Sequence, residues 1–329
     1  MKVTVLGAGS WGTTVASLLA LKNETTLWAR SAEAAHEITT AHANTRYLAG
    51  YPLPESLRAT ADLAQAVAEA DVLFVGVPTH GFRAAIEAAA PHVRPWIPVV
   101  SLSKGFEQGS LLRMTEVITE LMPGHPAGVL SGPNLAKEIM SGAAAASVIA
   151  TPDLGVAQQL QRILQSARFR VYTNHDVIGC EVGGALKNVV AIATGIAQGL
   201  SAGDNTRSAV ITRGLAELSR LGVAMGGEPA TFAGLAGMGD LIATCVSPQS
   251  RNRYVGEQLG LGRELAEILD EMHMVAEGVK TAVTVHELAA RHQVAMPISE
   301  EIYRVVSGQI RPAMAYRGLL RSGHESDPG

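Results

Sequence analysis

What this sequence lacks closes off several classes of function. Its 329 residues include two cysteines, Cys180 and Cys245, which make neither a disulfide framework nor a metal-ligand pattern. Both read as small buried hydrophobes of a reducing compartment, the cytoplasm. There is no excess of basic charge: a net charge of −4 leaves no positive field for nucleic acid, so an anionic ligand must be met by a few local Lys and Arg side chains. No stretch offers the ~18 uncharged apolar residues that a membrane span needs, and the apolar run after Met1-Lys2 stops at Leu6, short of a signal segment, so no membrane insertion is expected. Internal repeats are absent, and the ten histidines are scattered, so no metal is expected. What is present is a globular composition, 47% hydrophobic and 17% charged, in a length that suits about two domains.

The N-terminus carries the clearest local pattern. Lys2-Val-Thr-Val-Leu6 alternates β-branched residues and then gives way to Gly7-Ala-Gly9-Ser10-Trp11-Gly12 and a helical run over residues 13–21. This is G-x-G-x-x-G between a strand and a helix. Gly7 permits a tight turn, Gly9 lets the backbone approach a pyrophosphate, and Gly12 allows close helix packing while the helix N-terminus faces the phosphates. The bland alternative is a glycine-rich turn with no ligand. A second strand over residues 25–29 ends at Arg30, where an NAD-preferring fold presents Asp or Glu to the ribose 2′-hydroxyl. Arg30 reverses that charge and suits the 2′-phosphate of NADPH, with NADH bound more weakly; otherwise it is a solvated surface arginine.

Further β and α units follow. Residues 36–54 read as polar and irregular, residues 63–70 as a helix, and the continuous apolar run over 71–77 as a buried parallel strand. A strand over 98–102 leads to Ser103-Lys104-Gly105, placing Lys104 at a carboxyl edge of the sheet, where ligands bind in open α/β folds. A strand over 128–131 enters the turn Gly132-Pro-Asn134-Leu-Ala136-Lys-Glu138, whose N–H groups can hold an anion or cofactor. Strands over 145–150 and 169–172 flank a helix over 154–165. The repetition predicts a doubly wound parallel sheet of Rossmann type over residues 1–176.

From residue 177 onward helical periodicity takes over, which predicts a second, helical domain over 177–329 with a disordered tail at 322–329. Its first large element holds Lys187 among Gly183, Gly184, Ala191 and Thr194, a helical face of small residues that lets another body come close to the backbone. Lys187 is therefore either a lysine snorkelling to water or a partly desolvated one suited to proton transfer. Arg213 and Glu217 stand at ion-pair spacing on a helix over 208–221. The glycine-rich segment 231–240 ends on Asp240, which can orient an ammonium or cap the helix over 241–245. Ser250-Arg251-Asn252-Arg253 opens another helix with a capping serine and two arginines, a plausible phosphate pocket or else a solvated basic patch. Val275-Ala-Glu277-Gly278 reads as a loop before a helix over 281–292.

The motifs Gly7-Ala-Gly-Ser-Trp-Gly12, Ser131-Gly-Pro-Asn134, Gly183-Gly-Ala-Leu-Lys-Asn188, Gly237-Met-Gly-Asp240 and Ser250-Arg-Asn-Arg253 together resemble, in order and spacing, the bacterial NAD(P)-dependent sn-glycerol-3-phosphate dehydrogenases over nearly the whole chain. The resemblance implies a Rossmann domain followed by an all-helical one, and interconversion of dihydroxyacetone phosphate and sn-glycerol 3-phosphate with NADP(H) or NAD(H), feeding phospholipid synthesis. It implies Lys187 as general acid/base, Lys104 as a second active-site lysine touching substrate and cofactor, and Asp240 as the group that orients the lysine. Gly132, Asn134, Ser250, Arg251 and Asn252 would contact substrate; Ser10, Trp11, Arg30, Ala136, Arg251, Val275 and Glu277 would contact the cofactor. A homodimer is implied as well. The competing readings are a β-hydroxyacid dehydrogenase of the 6-phosphogluconate or hydroxyisobutyrate type, and a non-catalytic NADPH-binding protein.

Overall fold

The computed structural model describes residues 1–272 and 276–319. Val275 and the tail at 322–329 lie outside the described residues. The chain divides into two compact units, Met1–Glu181 and Val182–Gly329.

In the first unit the elements run β1 (Lys2–Leu6), α1 (Ser10–Ala20), β2 (Glu24–Trp28), α2 (Ala32–Thr40), α3 (Thr45–Leu48), β3 (Arg58–Thr60), α4 (Leu63–Val67), β4 (Val72–Val75), α5 (Thr79–Ala89), β5 (Val99–Ser101), α6 (Met114–Leu121), β6 (Ala127–Ser131), α7 (Ala136–Met140), β7 (Ala145–Ala150), α8 (Leu154–Leu164) and β8 (Phe169–Asn174). The strands form one sheet in the order β3-β2-β1-β4-β5-β6-β7-β8. Alternate residues of its central strands enter different apolar clusters. Val3, Val5, Val72, Phe74 and Val100 pack with Val15 and Leu19 of α1 and with Leu160 of α8. Leu6, Leu73, Val75 and Val99 pack with Phe82 and Ile86 of α5 and with Val117 and Ile118 of α6. Successive strand side chains point to opposite faces, so both faces of this sheet are buried, which is why its strands read as unbroken apolar runs.

Two features depart from the sequence expectation. The sheet is parallel except between β6 and β7, which run antiparallel with Val129 opposite Ala150. The connection explains it: α7 has five residues and rises only about 7 Å, against the ~20 Å of a six-residue strand, so the chain enters β7 near the end where it left β6. The stretch 36–54 is not irregular. It holds the end of α2, whose start Ser31 caps by accepting from the Ala34 N–H, and all of α3. In α2 only Ala35 and Ile38 are buried, too sparse a stripe to register as periodicity.

Helix α9 (Val177–Gly199) starts within the first unit, and its first turn belongs there. The buried Glu181 carboxylate accepts from the Thr115 N–H at 2.9 Å, the Thr115 hydroxyl at 2.5 Å and the Arg113 guanidinium at 2.7 Å, and so closes the N-terminus of α6. Burial raises the pKa of Glu181, opposed by Arg113.

The second unit continues with α10 (Asp204–Ala224), α11 (Pro229–Ala233), a π-turn over Leu235–Gly239, α12 (Asp240–Val246), α13 (Arg251–Gly260), α14 (Leu265–Glu271), α15 (Glu277–His292), α16 (Pro297–Val306) and α17 (Pro312–Leu319). No strand occurs among its described residues. Helix α9 is long and apolar enough to cross a membrane, a property the sequence reading had not credited to any segment, but 89% of its most apolar window is buried inside the protein. Its small residues serve helix packing. A methyl group on Gly195 would lie 2.1 Å from the Arg253 carbonyl oxygen, and one on Gly256 would lie 2.1 Å from that of Ile192, so α9 and α13 touch backbone to backbone.

Glu217 of α10, expected at ion-pair spacing from Arg213, directs its carboxylate to the start of α16. It accepts from the Ile298 N–H at 2.6 Å, the Ser299 N–H at 3.1 Å and the Ser299 hydroxyl at 3.0 Å. Burial raises its pKa above the ordinary carboxylate value, and the donors only partly offset that. A raised folded-state pKa means that the group's contribution to stability is present below its unfolded pKa of about 4.3 and is lost as pH rises through the folded value. The stability of the native protein relative to Glu217→Gln is therefore expected to fall as pH rises above about 4.3. Urea unfolding of both proteins at several pH values measures it; a pH-independent difference would count against this reading.

Candidate active site

In the first unit the chain turns sharply after β1. Gly7 adopts φ +106°, and its N–H donates to the Trp28 carbonyl at 3.0 Å. Glycine is required at position 12, where a Cβ would stand 2.0 Å from the Gly7 carbonyl oxygen. Gly9 differs. At φ −73° and ψ 176° it has a backbone any residue tolerates, and a Cβ built on it meets nothing within 4 Å. Beside that open space α1 begins, and the first turn of any helix leaves N–H groups without intrahelical partners. Within the same turn the indole Nε1 of Trp11 is buried with no partner. An open space at the N-terminus of a helix suits the pyrophosphate of a dinucleotide, and the orphaned indole N–H in the same turn is a further donor to satisfy, so the residues fit the cofactor that the pattern suggests. Arg30 lies exposed just past β2.

The neighbouring strands β5 and β6 deliver two more expected residues to one place. Lys104 follows β5, Gly132 follows β6, and the Lys104 ammonium donates to the Gly132 carbonyl at 2.8 Å. Gly132 takes φ +122°, which turns the chain away from the sheet. Asn134 then accepts through its amide oxygen from the Ser147 hydroxyl on β7. Its amide Nδ2 and the Ser131 hydroxyl are buried with no protein partner, two further polar groups for a ligand to satisfy. Ala136 is the first residue of α7.

In the second unit Lys187 is 6% exposed and Asp240 1% exposed. The Lys187 ammonium donates to Asp240 Oδ1 and, at 2.7 Å, to Thr244 Oγ1. The Thr244 hydroxyl spends its own proton on the Asp240 carbonyl at 2.7 Å, which leaves its lone pair to the lysine. Of the two alternatives for Lys187, snorkelling is thus replaced by burial with a counter-ion. Asp240 is brought there by the π-turn over Leu235–Gly239, where a Cβ on Gly237 would sit 2.1 Å from the Phe232 carbonyl oxygen. Thr244 was missed in the sequence, although it stands one helical turn beyond Asp240 and shares its face. Nearby, Cys245 is buried and its thiol is pushed up to about 11, while burial also raises Cys180; both are free and neither is a nucleophile.

Ser250 caps α13 by accepting from the Arg253 N–H at 3.2 Å. Arg253 in turn donates to the Ser247 carbonyl at 3.0 Å and fixes the segment leading into the cap. Arg251 occupies the first helical position with part of its side chain in solvent, yet its guanidinium is crowded enough that desolvation lowers its pKa, with Glu277 opposing. Asn252 does not reach outward. Its Nδ2 donates to Asn188 at 2.9 Å and its Oδ1 accepts from the Gly278 N–H at 3.0 Å, tying α13 to α9 beside Lys187 and to α15 beside Glu277. No cluster of metal-ligating side chains occurs among the described residues.

Two family descriptions match the chain: NAD-dependent glycerol-3-phosphate dehydrogenase N-terminus over residues 2–157 and the C-terminus of the same family over residues 176–317. A Sphingopyxis alaskensis protein named glycerol-3-phosphate dehydrogenase (NAD(P)+) 2 is 56% identical over 331 residues, covering 100% of this chain and 99% of its own. A Mycobacterium tuberculosis protein named glycerol-3-phosphate dehydrogenase (NAD(P)+) 1 is 52% identical, covering 98% of this chain and 96% of its own. Among solved structures, the glycerol-3-phosphate dehydrogenase of Coxiella burnetii superposes with a TM-score of 0.93 at 37% identity, covering 97% of this chain and 98% of that one.

Proposed function

The chain belongs to the NAD-dependent glycerol-3-phosphate dehydrogenase family and interconverts dihydroxyacetone phosphate and sn-glycerol 3-phosphate with NAD(P)H, and we propose that Lys187 is the acid/base of that reaction. Family membership sets aside the hydroxyacid dehydrogenase and the non-catalytic alternatives. The observation that carries the proposal is the buried Lys187 ammonium held by Asp240 and Thr244.

When bound, the dinucleotide supplies the hydride. In the reductive direction negative charge grows on the substrate's ketone oxygen. Lys187 stabilises that charge and delivers the proton; Lys104 is a second ammonium for the same charge. Asp240 aims Lys187, and Thr244 fixes its remaining freedom. The Ser250 cap presents the first turn of α13 and Arg251 to the substrate phosphate, whose binding energy positions the carbonyl. Gly132 and Asn134 complete the substrate contacts. On the cofactor side, Gly7, Gly9, Ser10, Trp11 and Gly12 cradle the pyrophosphate; the family resemblance assigns cofactor contacts to Ala136, Arg251 and Glu277 as well, and to Val275, which lies outside the described residues. Asn252 acts through its ties to Asn188 and Gly278, which hold Arg251 and Glu277 in place.

Arg30 sets the nucleotide preference through the 2′-phosphate. Arg30→Ala is expected to raise the KM for NADPH about five- to tenfold, the scale of one partly screened charge-assisted contact, and to leave the KM for NADH within about twofold. Parallel changes for the two cofactors would assign Arg30 to the surface. The reaction supplies glycerol 3-phosphate for phospholipid synthesis in the cytoplasm. The working form is a homodimer, for which the exposed apolar side chains Met238, Ile242 and Val246, one helical turn apart, offer a surface. NADPH oxidation followed spectrophotometrically with dihydroxyacetone phosphate, and repeated with a hydroxy acid, tests the reaction; turnover of the hydroxy acid alone would overturn it.

A further inference from the structure

A phosphate-binding loop has to present N–H groups to the anion and keep its carbonyl oxygens away. Around the Gly7–Gly12 turn most of that task falls to the backbone. The Gly9 carbonyl accepts the Thr13 N–H at 2.9 Å as α1 begins, and the Gly7 carbonyl is pressed against Gly12. The remaining carbonyl, that of Ala8, lies at the crest of the turn, where no ladder or helix bond takes it by geometry. Asn44 takes it. Its Nδ2 donates to the Ala8 carbonyl at 2.9 Å and to the Thr13 hydroxyl at 2.9 Å. Asn44 lies in the segment between α2 and α3, 36 residues from Ala8 along the chain, and is 3% exposed.

We propose that Asn44 is a positioning residue for cofactor binding: it holds the Ala8 carbonyl away from the pyrophosphate and joins that carbonyl to the first turn of α1, so that the N–H groups of the loop and helix face the same anion. This deepens the reading of the glycine loop as the dinucleotide cradle and rests on it. Both hydrogens of one amide nitrogen are used, one on the loop and one on the helix, so a single side chain sets the angle between them. The residue type follows. Asp would place an oxygen against a carbonyl oxygen and add negative charge beside a dianionic ligand; Ser or Ala would not span both partners. Thr13, fully buried, supplies the second anchor without facing the ligand.

Three single variants of the full chain decide the matter: Asn44→Asp, Asn44→Ala and, as a control on the loop itself, Gly9→Ala. For each, NADPH affinity is measured by fluorescence quenching, the KM for NADPH and kcat at saturating NADPH by initial rates, and folding by circular dichroism and thermal melting. Both Asn44 variants are expected to weaken NADPH binding at least tenfold, Asn44→Asp the more severely, with kcat at saturating NADPH and the KM for dihydroxyacetone phosphate within about threefold of the native values. A residue with only a structural role would lower the melting temperature and leave the affinity of the folded fraction unchanged; that result overturns the proposal. If either variant fails to fold, the other still decides it. Weak binding in Gly9→Ala with native binding in the folded Asn44 variants overturns the positioning role alone, whereas native binding in Gly9→Ala overturns the cradle reading on which it depends.

Discussion

Lys187→Ala is expected to lower turnover by about 10²- to 10⁴-fold while leaving NADPH binding close to native, because the variant loses the proposed general acid and keeps the glycine loop. The change also takes the lysine ammonium away from Asp240, a carboxylate 1% exposed. Breaking a buried pair by removing one partner costs about 3–5 kcal/mol, so the single variant will be less stable as well as slow. The two effects separate in Lys187→Ala/Asp240→Asn, which removes the buried carboxylate's charge as well. Stability should recover in the double variant and turnover should not. Initial rates with saturating NADPH and dihydroxyacetone phosphate, alongside urea unfolding, measure both; recovery of turnover together with stability would make Lys187 a structural lysine.

The second large effect is expected at Gly9→Ala. The backbone at Gly9 is extended and the space around its absent Cβ is empty, so the methyl group should cost the apo protein almost nothing. It would occupy the space that the pyrophosphate needs. Losing one or two charge-assisted hydrogen bonds of about 1.5–3 kcal/mol each corresponds to roughly 10²-fold weaker NADPH binding. Gly12→Ala is no substitute, since its methyl would lie 2.0 Å from the Gly7 carbonyl oxygen and would damage the fold before any ligand arrived. Isothermal titration with NADPH and a thermal melt of the apo protein separate the two cases. Unchanged affinity in a stable Gly9→Ala would move the cofactor elsewhere.

How much of this was legible in advance depended on range. The β1 strand and the loop after it were plain, because alternation of period two and three glycines at fixed offsets act within a dozen residues. Asp240 was within reach because its glycine-rich approach is unusual, yet its choice between capping a helix and pairing with Lys187 is settled 53 residues away, by the packing of α12 on α9. Thr244 shares the Asp240 face and could have been found by helical spacing alone. The small-residue face around Lys187 was read as room for another body; farther along the same helix, at Gly195, the body is α13. Asn44 offered no local signal, since a polar residue in a polar stretch looks like any loop position until its partners are known. The antiparallel β7 was equally hidden, because strand direction is set by the reach of the connection and not by the strand's own residues.

The most direct test of Lys187 as proton donor is chemical rescue. Small primary amines added to Lys187→Ala should enter the space the side chain leaves and restore turnover in proportion to their concentration, with rates that follow the acidity of the ammonium ion. A variant that binds NADPH and dihydroxyacetone phosphate normally, yet turns over at the native rate with no amine present, would contradict the assignment.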